Sequence, residues 1–288
     1  MAPAAGAEKA PAKVNLTLRV IGRRADGYHD IESLVAFADV GDALTFSPGG
    51  ALALSVAGPT AAAGGQIADN LVLKAARALA ERVERLKLGG FALSKRLPVA
   101  AGLGGGSTDA AAALRLLARA NGLAPDDPRL MQAARATGAD VPVCLDPRPR
   151  FMRGIGDVLS DPLDLPQLFA VLLNPGVAVA TKDVFAALAV PTAVQTPPAA
   201  ICTGTAALLD EIARGRNDLE EAAIELEPAI ADALAVLRNL PGCQLARMSG
   251  SGATCFGLFD SMDAARGAAR RLRVGYPDWW VRATALGS

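Results

Sequence analysis

The sequence predicts a two-domain α+β protein, and three observations carry that expectation. At roughly 150 residues per domain, 288 residues make about two domains. Hydrophobic residues are 51% of the chain, ample for a sizeable core. The second half reads as strand, helices, strand, Gly/Ser loop, strand, helix and strand. That is the order of a ferredoxin-like domain, two helices packed on a small antiparallel sheet. Pro-rich 146–149 and the segment 161–166 form the joint, so the expected domains are 1–160 and 161–288.

The elements follow in order. Residues 13–20 alternate, with Lys13, Asn15, Thr17 and Arg19 on one face and Val14, Leu16, Leu18 and Val20 on the other, which predicts a half-buried strand. Residues 23–30 read as a turn with polar tips, and short strand-like runs follow at 34–38, 43–46 and 51–56. Asp69 is placed to cap a helix whose apolar stripe is Leu71, Val72, Ala75, Leu79, Val83 and Leu86, ended by Gly89 and Gly90. A strand at 91–95 leads into a Gly-rich loop, and a helix over 110–120 stops at Asn121-Gly122. Asp127 caps a helix from Pro128 to Gly138, with Asp140 just beyond it. The second half continues with strands at 168–173, 243–247, 253–259 and 279–285. Its helices fall at 182–189, within 205–240, and at 261–272. Asn217 followed by Glu220 has the spacing of a capping box.

Composition excludes several classes. Lys+Arg and Asp+Glu are both 29, so the chain lacks the basic surplus of a dedicated nucleic-acid binder. The single histidine, His29, rules out His-based zinc sites of the usual kind and makes a Ser/His/Asp triad an unlikely design. Cys144, Cys202, Cys243 and Cys255 have no CxxC spacing and read as reduced thiols of a cytoplasmic protein. The N-terminus has no apolar h-region and reads as a flexible tail. The uncharged stretches 43–68 and 184–209 are broken by Pro, Gly and polar residues, so neither spans a bilayer.

Residues 102–109 carry the loudest chemical signal. Consecutive glycines let backbone N–H groups close on an anion, and the following helix adds its partial positive charge. No Lys follows as in a Walker A loop, and the spacing is not GxGxxG. A plain strand-to-helix turn with Ser107 as its N-cap fits the same residues. Residues 248–254 form a second Gly/Ser loop, which alone reads as a hairpin turn. Phosphoryl transfer needs a cation near the transferred group and often a carboxylate near the attacking hydroxyl. Lys13 and Asp140 are of those types, though each alone reads as structural.

Three motifs stand in the order and spacing of the GHMP kinase superfamily, which the chain resembles from about Ala10 to Arg282. They are Pro11-Ala12-Lys13-Val14-Asn15-Leu16, then Pro98-x3-Gly102-Leu103-Gly104-Gly105-Gly106-Ser107, then Ser249-Gly250-Ser251-Gly252-Ala253. Further marks narrow the branch: Arg24-Ala25-Asp26-Gly27-Tyr28-His29, Gly104-Gly105-Gly106-Ser107-Thr108-Asp109-Ala110-Ala111, Gly138-Ala139-Asp140-Val141-Pro142, Asn174-Pro175-Gly176 and Asn217-Asp218-Leu219-Glu220.

The resemblance implies an N-terminal domain like ribosomal protein S5 domain 2, a ferredoxin-like C-terminal domain, and an active site between them. It implies ATP-dependent phosphorylation of the 2-hydroxyl of a cytidylylated methylerythritol in non-mevalonate isoprenoid synthesis. Asp140 would be base or orienting carboxylate, and Lys13 its cationic partner. Pro98, Val99, Ala100, Ala101, Gly102, Leu103, Gly104, Gly105, Gly106, Ser107 and Thr108 would hold ATP, with Ser107 the place for Mg2+ contact. Asn15, Thr181, Gly250 and Ser251 would meet the acceptor. Tyr28 and His29 would meet its cytosine, Tyr28 by stacking and His29 by bonding the edge, with Phe185 as the opposing wall. The partner is then a small molecule, a cytidine diphosphate-linked alcohol, with no nucleic acid and no membrane, and the protein a monomer or homodimer. A silent nucleotide-binding module would not need both Lys13 and Asp140. A sugar or mevalonate kinase would not need Asp-Gly-Tyr-His.

Overall fold

A computed structural model describes residues 6–63, 65–188 and 204–287. The expected N-terminal tail, Cys202 and residue 189 lie outside them. In chain order the first elements are β1 (Gly6–Asn15), β2 (Arg19–Arg23), β3 (His29–Pro48), β4 (Ala53–Ala57), α1 (Leu71–Ala80) and β5 (Gly89–Ser94). Next come α2 (Gly105–Asn121), α3 (Pro128–Thr137), α4 (Val141–Cys144), β6 (Arg150–Gly154), β7 (Val158–Leu159), β8 (Leu168–Asn174) and α5 (Thr181–Ala187). The last are α6 (Thr205–Arg214), α7 (Glu220–Leu226), α8 (Ala229–Arg238), β9 (Leu245–Met248), β10 (Cys255–Phe259), α9 (Met262–Gly275) and β11 (Trp280–Leu286). Among the described residues no helix is long and apolar enough to cross a membrane.

The chain divides into two compact units, each made of three separate segments rather than cut once near residue 160. Unit 1 is Met1–Ala12, Gly41–Val99 and Gly104–Pro147; unit 2 is Lys13–Val40, Ala100–Leu103 and Arg148–Ser288. The long strands β1 and β3 each contribute to both units.

In unit 1, β4 pairs in parallel with β5, which pairs antiparallel with the C-terminal part of β3. A parallel neighbour needs a crossover, and α1 supplies it. Helices α1, α2 and α3 pack together over Leu73, Leu79, Leu114, Leu117 and Leu130, all buried. Gly41 is required in β3, because a Cβ there would lie 2.3 Å from the Ala10 carbonyl oxygen.

In unit 2 the strands order as β11-β8-β10-β9, every neighbour antiparallel. Read along the chain from β8 this is the βαββαβ pattern, with α8 and α9 as the covering helices. Val171, Leu173, Leu234, Leu237, Phe259, Leu272 and Val281 form their shared core. The N-terminal part of β3 pairs with β2 on one side and β6 on the other. Burial pushes the Cys255 thiol far up its ordinary range, as expected of an inert core cysteine.

Several expectations are corrected. The strand expected over 13–20 begins at Gly6 and ends at Asn15, with Arg19 and Val20 in β2, and from Ala10 onward it is buried on both faces. Its polar side chains tolerate burial because they find partners: Asn15 Nδ2 donates to Ser33 Oγ at 2.7 Å, and Thr17 Oγ1 accepts from Leu34 N at 3.2 Å. The runs at 34–38 and 43–46 are one strand, β3. Asn70, not Asp69, caps α1, accepting from Val72 N at 2.9 Å. That helix ends at Ala80 rather than near Leu86, and Arg85 then turns through φ 57°. Helix α2 starts at Gly105, five residues before the expected start, so the last glycines of the loop are helical.

Candidate active site

Within unit 2, two turns and the end of β1 are knitted together. Lys13 N donates to Leu103 O at 2.9 Å, and Lys13 is almost wholly buried. Asn15 N donates to Ser249 Oγ at 3.0 Å, and Ser249 Oγ donates to Gly102 O at 2.9 Å. Thr254 N donates to Ala101 O at 3.1 Å. Gly102 has φ 71°, and a Cβ on it would lie 2.1 Å from Ser249 O. Gly250 has φ 56°, with Asn15 Oδ1 at 3.4 Å from where a Cβ would stand. Ser251 Oγ shares a 2.8 Å hydrogen bond with Thr181 Oγ1. The structure thus brings together Lys13, Asn15, Ala101, Gly102, Leu103, Thr181, Gly250 and Ser251. Ser249, which links three of these segments, was legible only as one letter of the Ser-Gly-Ser-Gly motif.

Asn217 and Glu220 do not form a capping box, because the N-cap position of α7 is Leu219. Asn217 Nδ2 donates to Met248 O at 2.9 Å and Gly250 O at 2.8 Å, while its Oδ1 accepts from Leu219 N at 3.0 Å. Glu220 Oε2 accepts from Met248 N at 3.0 Å. Arg247 Nη1 donates to Leu16 O, and to Ile212 O at 3.0 Å.

The 24–30 turn is held by its own polar tips. Arg24 Nε donates to Asp30 Oδ1 at 2.9 Å, Tyr28 N donates to Asp26 Oδ1 at 3.0 Å, and Arg24 N donates to Tyr28 O at 2.7 Å. Tyr28 is left 59% exposed. His29 and Phe185 stack, with ring centroids 4.9 Å apart and planes at 24°. Phe185 thus lies directly against His29. Burial, then the charge of Arg23, lowers the His29 pKa below its ordinary value, so the ring is neutral at pH 7.

Within unit 1, Gly104 takes a left-handed conformation (φ 60°) and opens α2. Gly106 is exposed and Ser107 half-buried in the first turn, where helix N–H groups lack intrahelical partners. Thr108 is turned inward, its Oγ1 donating to Gly105 O at 3.0 Å. Pro98 and Val99 are half-buried at the end of the segment that follows β5. Ala100, the first unit 2 residue of the loop, is exposed with φ 50°, a strained value for alanine. Beneath the helix start lies a buried charge cluster that sequence reading missed. Lys95 Nζ pairs with Asp42 Oδ2, and with Asp109 Oδ2 at 2.8 Å. Asp42 Oδ1 also accepts from the backbone N–H groups of Arg96 and Leu97. Asp109 is 2% exposed, and its Oδ1 has no hydrogen-bond partner. Burial, only partly offset by Lys95 and reinforced by Asp42, raises the Asp109 pKa to about 7. Asp140 is half-buried at the head of α4.

Among the described residues no group of three or more His, Cys, Asp or Glu is placed to hold a metal. Mg2+ bound with phosphates needs few protein ligands, and the half-buried Ser107 hydroxyl is a hard oxygen donor of the fitting kind.

The family model described as GHMP kinases N terminal domain matches residues 70–146, and the one described as GHMP kinases C terminal matches residues 199–278. A protein of Xanthobacter autotrophicus named 4-diphosphocytidyl-2-C-methyl-D-erythritol kinase is 59% identical over 286 residues, covering 96% of this chain and 98% of that protein. A protein of Rhodopseudomonas palustris with the same name is 56% identical, covering 97% of each. The crystal structure of a 4-(cytidine 5'-diphospho)-2C-methyl-D-erythritol kinase superposes with TM-score 0.77 at 35% identity, over 98% of this chain and 100% of that one. A homoserine kinase from Cytophaga hutchinsonii, 20% identical, shares the fold with TM-score 0.69 over 95% and 92% of the two chains.

Proposed function

The chain belongs to the GHMP kinases, and from that premise we propose that it transfers the γ-phosphoryl group of ATP to the 2-hydroxyl of 4-diphosphocytidyl-2-C-methyl-D-erythritol, in the non-mevalonate route to isopentenyl diphosphate. The observation that carries this is agreement at 56–59% identity, over nearly the whole chain, with proteins of that name. In the transfer, the acceptor oxygen forms a bond to the γ-phosphorus and the bridging bond to ADP breaks. ADP leaves with that electron pair, and the acceptor proton passes to the Asp140 carboxylate as base, or to an oxygen of the transferred phosphoryl group where Asp140 only orients the hydroxyl.

The roles assigned to individual residues are part of the proposal. Asp140 is base or orienting carboxylate, and Lys13 the cation that offsets developing charge. The exposed Gly106 and the N–H groups at the head of α2 support phosphate binding there. Pro98, Val99, Ala100 and Ala101 complete that loop. Ser107 would hold Mg2+, which when bound would offset the negative charge of the phosphates. Asn15, Thr181, Gly250 and Ser251 hold the acceptor, and Tyr28, His29 and Phe185 its cytosine. The balanced net charge supports a small-molecule partner rather than nucleic acid. We place the reaction in the cytoplasm, carried out by a monomer or homodimer on an acceptor that no membrane holds.

An ADP-release assay with a panel of acceptors tests the reading. Rapid release with the cytidylylated alcohol, and little with homoserine, mevalonate or no acceptor, is the expected result. Release with homoserine or mevalonate and none with the cytidine-bearing alcohol overturns it.

A further inference from the structure

The turn at 248–251 carries Ser249, bonded to Asn15 and Gly102, and Ser251, bonded to Thr181, on a backbone that must itself be held. None of the atoms fixing that backbone at 248 and 250 from outside belongs to a residue assigned a role above. Asn217 is buried and spends its whole amide: two N–H bonds go to the carbonyls of Met248 and Gly250, and its oxygen takes the N–H of Leu219. Only an amide of this length offers two donors and one acceptor in that arrangement. Glu220 takes the Met248 N–H with one oxygen, while Arg238 Nη2 lies 3.4 Å from the other. The same segment is tied to the chain after β1: Leu18 N donates to Arg216 O, Asp218 N donates to Leu18 O, and Val20 N donates to Asp218 Oδ2, each at 2.8 Å. The 216–220 segment therefore fixes two things at once, the chain that follows Asn15 and the turn that carries Ser249, Gly250 and Ser251.

We propose that Asn217 and Glu220 are positioning residues for phosphoryl transfer, holding the 248–250 backbone so that Ser249, Gly250 and Ser251 keep their places against Asn15 and Thr181. This rests on the reading above that the turn meets the acceptor. Neither side chain touches substrate; each acts through main-chain atoms of the turn. A displacement of about 1 Å in a reacting geometry costs on the order of 100-fold in rate.

The test uses the full chain, steady-state kinetics in both substrates, and thermal melting. Asn217→Asp keeps the acceptor for Leu219 N but sets oxygen against two carbonyls. It should lower kcat/KM for the cytidylylated acceptor by about 10- to 100-fold and leave the KM for ATP within about twofold. Glu220→Ala should do the same, and Glu220→Gln, whose amide oxygen can still take the Met248 N–H, should restore most of the loss. Wild-type kinetics in folded Asn217→Asp and Glu220→Ala overturn the inference. So do losses that strike both substrates equally and follow the fall in Tm. If Asn217→Asp does not fold, the comparison of Glu220→Ala with Glu220→Gln decides alone. A wild-type protein inactive on the cytidylylated acceptor overturns the functional reading and this inference with it; active wild type with unaffected variants overturns this inference only.

Discussion

A carboxylate that takes a proton during transfer contributes to the rate and little to ground-state binding. Asp140→Asn should therefore cut kcat by about 100-fold or more with KM for both substrates little changed; near-normal turnover would remove Asp140 from the mechanism. The aromatic residues act the other way. Because His29 already rests on Phe185, Phe185→Ala removes a stacking surface and frees the imidazole. By analogy with base stacking, the loss is about 1–3 kcal/mol, roughly 5- to 150-fold in acceptor KM. The KM for ATP should stay put, and a change in ATP affinity alone would place the pair in the adenine pocket. At this scale the sequence named candidate residue types but not how they pair. The His29–Phe185 stack was not legible, because ring contact depends on how a turn and a distant helix meet. Lys95, Asp42 and Asp109 were invisible as a cluster for the same reason. Asp42 lies 53 residues from Lys95, and nothing local marks it as the lysine's partner.

The glycines of the loop divide by element. Gly102 lies in the left-handed region with Ser249 O where a Cβ would stand. Gly102→Ala should lower Tm by several degrees, since strain of about 1–3 kcal/mol is expected there. Gly106 is exposed on the first turn of α2, where an added Cβ meets only the Leu71 side chain, with Cδ1 at 3.4 Å. Gly106→Ala should keep or slightly raise Tm, as alanine suits a helix, while weakening ATP binding measured by calorimetry. Unchanged ATP affinity would leave that turn a structural feature only. Many elements were legible from periodicity and punctuation: α3 starts at Pro128 after Asp127, α9 after Ser261, and α2 ends at Gly122, whereas α4, β6 and β7 are too short to show a period and were not expected. Boundaries failed where a tertiary contact outvoted the local signal. Leu86 continued the stripe of α1, but the chain turns at Arg85 and strand β5 follows. The Asn217/Glu220 spacing imitated a capping box, but the Asn217 amide N–H groups and the Glu220 carboxylate bond a loop about thirty residues away.

At the scale of the whole molecule, the buried cluster under α2 couples stability to pH. The Asp109 pKa rises from 3.8 to about 7 on folding, so between those values the folded chain binds more protons than the unfolded one. Stability from this group is therefore full below about pH 4 and is lost as pH rises toward 7. Asp109→Asn removes that dependence. The Tm of the variant minus that of wild type should be more positive at pH 8 than at pH 5.5, and a difference flat across that range would show that Asp109 is ionised throughout. The division of labour at this scale was the least legible from sequence, since it depends on which partners β1 and β3 choose along their lengths. The chain passes from one unit to the other after Ala12, Val40, Val99, Leu103 and Pro147. No single cut separates a gene fragment encoding either unit, so neither can be gained, lost or exchanged by recombination at one junction. Two contiguous halves expressed apart would each be incomplete, and the architecture must be inherited whole.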